Sequence, residues 1–167
     1  MKNTQYDSTS DVTWAHFAHE APDLARRVHT RFESHRHAVL ATLRRDGSAR
    51  LSGLEAPIRG GHLWLGMMPG SRKAADLHAD ARFSLHSAPD NEELAHGDAR
   101  IDGEAVAATQ AEVDLFIAGH RMPIDDPDGM VLFTTRITRT TLTRVVGDEL
   151  VIESWTPTHG PQQFHRL

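Results

Sequence analysis

The chain has 167 residues, no cysteine, and a formal net charge of −5 with its 12 histidines counted as neutral. This length fits one domain with its own core. Disulfides, thiolate metal sites and a cysteine nucleophile are excluded, and the charge is not the footprint of a nucleic-acid-binding protein. The histidines are scattered without metal-ligand spacing, so we predict no metal site.

The N-terminal segment 1–5 is polar and lacks the apolar core of a signal peptide. No apolar run approaches the length of a membrane span. We therefore expect a cytoplasmic protein that does not bind a membrane.

The first predicted elements are helical. An apolar stripe with helical spacing runs from Trp14 to Phe32. Pro22 interrupts this stripe and suits the first turn of a second helix. The segment 13–34 is therefore one kinked helix or two short ones. We expect residues 1–36 to form a helical segment packed on a main unit of residues 37–167.

Strand-like runs joined by tight turns follow, at residues 38–43, 49–58, 62–68 and 82–87. Asp46-Gly47 favours a hairpin, and Gly60-Gly61 turns the chain again. Between the third and fourth runs, we expect Ser71 to cap a short helix that ends near Ala79.

The second half of the chain continues this pattern with a long strand at 97–108 and a capping box, Thr109 to Glu112, that opens a helix ending near Gly119. We expect residues 120–129 to be irregular, and strands at 130–137, 141–146 and 150–155, with a loop from Thr156 onward. The fold class is thus mainly β with peripheral helices: six to seven antiparallel strands in a split or small closed barrel.

The segment Pro69-Gly70-Ser71-Arg72-Lys73 is a candidate phosphate site. A helix N-terminus offers free N–H groups and a partial positive charge. Ser71 adds a hydroxyl, and Arg72 and Lys73 add charge-assisted donors. Arg50, on the neighbouring strand, could reach the same place. The alternative is a capped helix with two solvated cations.

The order of these features resembles the pyridoxamine 5′-phosphate oxidase-like, FMN-binding split-barrel superfamily, the flavin/deazaflavin oxidoreductases. The similarity is clearest over residues 35–108 and extends to Trp155. It is carried by the following segments: Ala41-Thr42-Leu43, Asp46-Gly47, Arg50, Leu63-Trp64-Leu65-Gly66, Ser71-Arg72-Lys73, Leu77 and Asp80-Ala81-Arg82.

The resemblance implies a set of cofactor-binding residues. Arg50, Ser71, Arg72 and Lys73 would hold the FMN phosphate. The isoalloxazine ring would lie against two strands, at Leu51, Ser52, Gly53, Trp64, Gly66, Met67 and Met68. The resemblance also implies a homodimer with the cofactor at the subunit interface, completed by Trp155 or the tail residues His165 and Arg166. Core or interface packing is the alternative for Trp64 and Trp155.

The chain departs from the vitamin B6 enzyme of this superfamily. Glu55 stands where that enzyme has a phosphate-binding lysine, five residues after Arg50. Neither its Tyr-x-x-x-Arg-x-x-x-Ser substrate motif nor its closing Arg-x-His has a match. These departures argue against pyridoxamine phosphate as the substrate.

The resemblance implies an oxidoreductase that uses FMN, or alternatively F420, and transfers hydride to or from a small organic substrate. The cofactor performs the redox chemistry, and the sequence singles out no catalytic side chain. Two alternatives stay open: a flavin- or haem-binding carrier or sensor without enzymatic activity, and an interaction domain without a ligand.

Overall fold

The computed structural model describes residues 12–119 and 129–167. Its first elements are two short helices, α1 (Trp14–Glu20) and α2 (Pro22–Glu33). Pro22 occupies the first turn of α2, where its missing N–H costs no hydrogen bond. The sequence stripe is therefore two helices. Phe17, Leu24 and Val28 are buried on their inner faces, against the sheet.

Most of the remaining chain forms antiparallel strands. In the described residues these are β1 (Ala38–Leu43), β2 (Ala49–Leu54), β3 (Ile58–Arg59), β4 (His62–Leu63), β5 (Leu65–Met67), β6 (Arg82–His86), β7 (Asp98–Ala107), β8 (Val131–Val146), β9 (Glu149–Thr156) and β10 (Gly160–Arg166). Helix α3 (Arg72–Ala79) lies between β5 and β6, and helix α4 (Gln110–Ala118) follows β7.

The sheet has the strand order β10-β9-β8-β7-β6-β1-β2. The long strand β8 pairs with β7 along one side. On its other side it pairs first with β5, at residues 131–133, and then with β9, from Thr140 onward. Because β5 pairs with β8, the sheet curls into a barrel. Because β5 and β9 pair with different parts of β8, the barrel is split along that side. This is the mainly β, split-barrel architecture expected from the sequence.

The core lies inside this curled sheet and under α1 and α2. Leu40, Leu85, Ile101 and Leu142 are fully buried and come from four different strands. Gly103 is required at its position because a Cβ there would overlap the backbone carbonyl oxygen of Arg136 and press on the ring of Phe83. A smaller second cluster, made of Trp64, Phe116 and Leu132, lies under α4.

Several predicted boundaries are wrong. The predicted third strand, 62–68, is two short strands with different partners, and the predicted second strand ends at Leu54. The runs 130–137 and 141–146 are parts of one strand, β8, because Arg139 and Thr140 stay paired with β7 and only the register shifts, at Thr138. Of the segment expected to be irregular, residues 120–128 lie outside the described part.

The C-terminal segment was predicted as a loop and is strand β10 instead. Its backbone pairs with β9 from Gly160↔Thr156 to Arg166↔Leu150. Every residue from Pro161 to Arg166 is exposed. The sequence of this segment does not alternate between apolar and polar residues, which is the pattern by which a strand is recognised.

Within the described ranges, no helix combines the length and the apolar character needed to cross a bilayer.

Candidate functional site

A cavity of 1120 Å³ opens between β2, β5 and the start of α3. One wall is formed by β2 and the residues after it: Gly53, Leu54, Glu55 and Pro57. The opposite wall is formed by β5 and the turn into α3: Gly66, Met67, Met68 and Pro69. The volume is at or slightly above the upper end of the range of about 300–1,000 Å³ that is usual for cofactor sites.

One end of the cavity is the N-terminus of α3, where Ser71 and Lys73 line the wall. Gly70, in the left-handed region at φ +70°, turns the chain into the helix. Ser71 occupies the N-cap position, but its hydroxyl does not cap the helix, which corrects the sequence expectation. The first N–H groups of α3 and the Ser71 hydroxyl are thus available to a ligand.

At this end of the cavity, Lys73 connects the start of α3 to β2. Its Nζ donates to the carbonyl oxygen of Gly53 at 2.7 Å. Burial lowers the pKa of Lys73 from its ordinary value, because the partly enclosed ammonium loses hydration. Arg72 is exposed and is not among the lining residues, and its guanidinium makes no ion pair with any residue of the described ranges.

Arg50 makes a second contact between β2 and α3, at Asp76. Its Nε donates to Oδ2 of Asp76 at 2.6 Å, and Thr42 Oγ1 donates to the same oxygen at 2.8 Å. The hydrogen bond from Arg50 is the largest cause of the lowered pKa of Asp76, followed among the lowering effects by that from Thr42. Arg50 is largely covered and does not reach the cavity surface.

The other end of the cavity is apolar and lies under α4, at Gly66, Phe116 and Met130. The Phe116 ring packs against Trp64, with 5.3 Å between ring centroids. The guanidinium of Arg59 lies 4.4 Å from the Phe116 centroid and donates to the carbonyl oxygens of Phe116 and Gly119. Arg59 thereby fixes both the ring and the C-terminal end of α4.

His37 and Glu55 add polar groups to the cavity wall. Oε1 of Glu55 accepts a hydrogen bond from Arg36 Nε at 2.7 Å and lies 3.8 Å from His37 Nε2. About two thirds of the His37 side chain is exposed. In the described part of the chain, no cluster of three or more histidine, aspartate and glutamate side chains could hold a metal ion.

The structure brings some of the predicted site residues together at this cavity: Gly53, Gly66, Met67, Met68, Ser71 and Lys73. Arg50 and Ser52 lie beside it on β2, and the Ser52 hydroxyl is buried without a hydrogen-bond partner. Leu51 is 70% exposed on the outer face of β2. His37, Phe116 and Met130 also line the cavity, and they were not predicted from the sequence because no local motif marks them.

The two tryptophans predicted as cofactor residues are core residues instead. Trp155 is completely buried, packs against the Phe17 ring in a tilted arrangement and donates from Nε1 to Glu20. Trp64 is 1% exposed and donates from Nε1 to the carbonyl oxygen of Arg59. Neither tryptophan lines the cavity, whereas the buried Met67 and Phe116 do, so core packing is the role that the structure supports for both tryptophans.

Solved structures share this fold. One is PhzG from Burkholderia lata 383, in complex with tetrahydrophenazine-1-carboxylic acid, with a TM-score of 0.67, 12% identity and 98% of both chains covered. A haem-binding protein from Mycobacterium smegmatis gives a TM-score of 0.63 at 22% identity, over 81% of this chain. A putative pyridoxamine 5′-phosphate oxidase from Listeria innocua gives 0.58 at 12% identity, covering 70% of this chain and 95% of its own.

At these identities the comparisons establish the fold. The chain has the split-barrel fold of these solved structures, so the fold that the sequence resemblance implied is confirmed. It spans 58% of the length of the mycobacterial haem-binding protein. No protein-family model matches the chain, and a search of curated proteins finds no significant match.

Proposed function

We propose that the cavity binds a phosphorylated flavin-type cofactor, FMN or alternatively F420, and that the protein is an oxidoreductase acting on a small organic substrate. The observation that carries this proposal is the two-ended character of the cavity. Ser71 and Lys73 lie at one end, and Gly66, Phe116 and Met130 at the other.

The residues present fit such a cofactor. A phosphate suits the N-terminus of α3, the Ser71 hydroxyl, which does not cap the helix, and the Lys73 ammonium. The backbone of Gly53 and Gly66 and the side chains of Met67 and Met68 would contact the ring. At Gly53 a Cβ would meet nothing within 4 Å, so a planar group can approach that backbone closely.

When bound, the cofactor supplies the hydride chemistry. The chain's own residues position the ligand: Lys73 and Ser71 at the phosphate, and Phe116, held by Arg59, at the apolar end. Glu55 and His37 lie on the cavity wall, where they can hold exchangeable protons close to a substrate.

A homodimer is part of this proposal. The outer face of β1 and β2 carries Val39, Ala41, Leu51 and Gly53 in register, and Leu51 is 70% and Val39 39% exposed. Such an apolar sheet face is typical of an interface. Gly53 also lines the cavity, so a second copy on this face would shield the opening and the exposed Met68 beside it.

The test is to purify the protein, release any bound small molecule and identify it by mass spectrometry. The apoprotein is then titrated with FMN and with F420. A retained flavin or deazaflavin, or saturable binding of either, supports the proposal, and reduction of the bound cofactor by candidate substrates then tests the enzymatic part. A protein that retains neither and binds neither overturns it.

Haem binding is the second candidate. The specific observation is the exposed His37 imidazole on the cavity wall, together with the shared fold of a haem-binding protein. Neutral imidazole is a common iron ligand. An intense Soret band that is lost in His37→Ala would favour haem, and flavin absorption that is retained in His37→Ala would exclude it as the resident group.

A further inference from the structure

The carboxylate of Asp76 joins three elements at one buried point beside the cavity. Thr42 of β1 and Arg50 of β2 both donate to Oδ2 of Asp76, which lies on α3, at 2.8 and 2.6 Å. Asp76 is 9% exposed and Thr42 is 2% exposed. A buried carboxylate with two donors on one oxygen is a strong and directional connection, because charge-assisted bonds in covered surroundings outweigh neutral ones.

This connection lies close to the proposed phosphate end. Asp76 follows Lys73 by three residues, so both face the same side of α3, about 4.5 Å apart along the helix axis. Lys73 bonds to Gly53 and Asp76 bonds to Arg50, and both partners are on β2. Helix α3 has only eight residues, and its buried apolar side chains are Ala74 and Leu77. Polar bonds to the sheet therefore carry a large share of its placement.

The bond also sets the direction of the Arg50 guanidinium. Arg50 uses Nε for Asp76, and its two terminal nitrogens have no hydrogen-bond partner within the described ranges. The hydrogen bond from Arg50 keeps the pKa of Asp76 low, so the carboxylate stays charged at neutral pH.

We propose that Asp76 is a positioning residue for phosphate recognition: through Thr42 and Arg50 it fixes the N-terminus of α3 relative to β2. This inference rests on the proposed function. Asp76 itself is an anion near the phosphate end, so its direct electrostatic effect on a phosphate is unfavourable. Any net gain in phosphate affinity from Asp76 must therefore come from position.

The experiment compares each phosphorylated ligand with its counterpart that lacks the phosphate. The quantity is the ratio of dissociation constants, riboflavin over FMN, measured by fluorescence titration of the apoprotein. For F420 the counterpart is the deazaflavin chromophore without its phosphorylated tail. The wild-type protein should prefer the phosphorylated member of a pair.

In Asp76→Ala the preference should fall about tenfold while riboflavin affinity stays within about twofold. Thr42→Val removes one bond without changing charge or size and should lower the preference about threefold. Thr140→Val is the matched control, because the Thr140 hydroxyl is equally buried but has no hydrogen-bond partner, and it should leave the preference unchanged. Should Asp76→Ala fail to fold, Thr42→Val decides alone.

An unchanged or increased preference in these variants overturns the inference, and so does an equal loss of affinity for both members of a pair, which indicates a merely structural role. In either case a wild-type preference for the phosphorylated ligand leaves the proposed function intact. A wild-type protein without that preference for either pair refutes the phosphate site, and this inference with it.

Discussion

The double substitution Arg72→Ala/Lys73→Ala tests the phosphate site most directly. Lys73 lines the cavity and its ammonium can make a charge-assisted bond to a phosphate, worth about 1.5–3 kcal/mol. Arg72 is exposed, so solvent screening limits its contribution to about 0–1 kcal/mol. The sum is about 1.5–4 kcal/mol, which corresponds to a roughly 12- to 700-fold weaker FMN affinity.

The same substitution should leave folding stability almost unchanged. Loss of the Lys73 bond to the carbonyl oxygen of Gly53 costs about 0.5–1.5 kcal/mol. Removal of two cations from a helix N-terminus regains about 0.3–1 kcal/mol, and alanine is the best helix former. A binding defect in this variant therefore reports on the site and not on unfolding.

The assay is titration of apoprotein with FMN at low and high salt, with riboflavin in parallel. Wild-type affinity for FMN should weaken with salt and that for riboflavin should not. The control is Arg45→Ala/Arg139→Ala, which removes the same two charges from exposed positions elsewhere. An unchanged FMN affinity, a riboflavin loss of the same size, or an equal effect of the control variant would show that the phosphate assignment is wrong.

Three further outcomes are expected. Leu51→Glu should convert the dimer to a monomer, as measured by light scattering. Val146→Glu, also at an exposed apolar position, should leave the dimer intact. A wild-type protein that is already a monomer would contradict the proposed interface. Gly103→Ala should lower the free energy of unfolding by about 1–3 kcal/mol, because its Cβ would overlap neighbouring atoms. Gly53→Ala is the control: there is open space around its Cβ, so it should change the free energy of unfolding by less than about 0.5 kcal/mol. Equal denaturation midpoints for the two variants would be inconsistent with the packing described.

The pKa of Asp80 is lowered from 3.8 to about 2, chiefly by the side-chain hydrogen bond from Arg82. A lowered pKa contributes stability above pH 3.8 that is lost as the pH falls toward 2. Asp80→Asn should therefore lose less stability than the wild type in that window when urea midpoints are measured against pH. Parallel curves for the two proteins would rule this contribution out.

Local sequence rules predicted the elements whose signals lie within a few residues. Asp46-Gly47 marked the β1–β2 hairpin, and the capping box from Thr109 to Glu112 marked the start of α4; both are present. Pro22 marked the junction between α1 and α2. These rules work because hydrogen bonds and backbone preferences at turns and caps involve neighbours along the chain.

The candidate site was only partly accessible to the same reasoning. Ser71 and Lys73 were found because a serine and a lysine at a helix start form a local pattern. Phe116 and Met130 were not found, because they reach the cavity only when α4 and β8 pack against β5, some fifty to sixty residues away in sequence.

The sequence by itself determined the mainly antiparallel barrel, its turns and the cationic start of α3. The tertiary structure decided which aromatic rings are core and which line the cavity, and it joined Asp76 to Thr42 and Arg50. It also made a strand of residues 160–166 through pairing with β9. The physical reason is that burial and strand pairing depend on partners distant along the chain, whereas turns and caps depend on near neighbours.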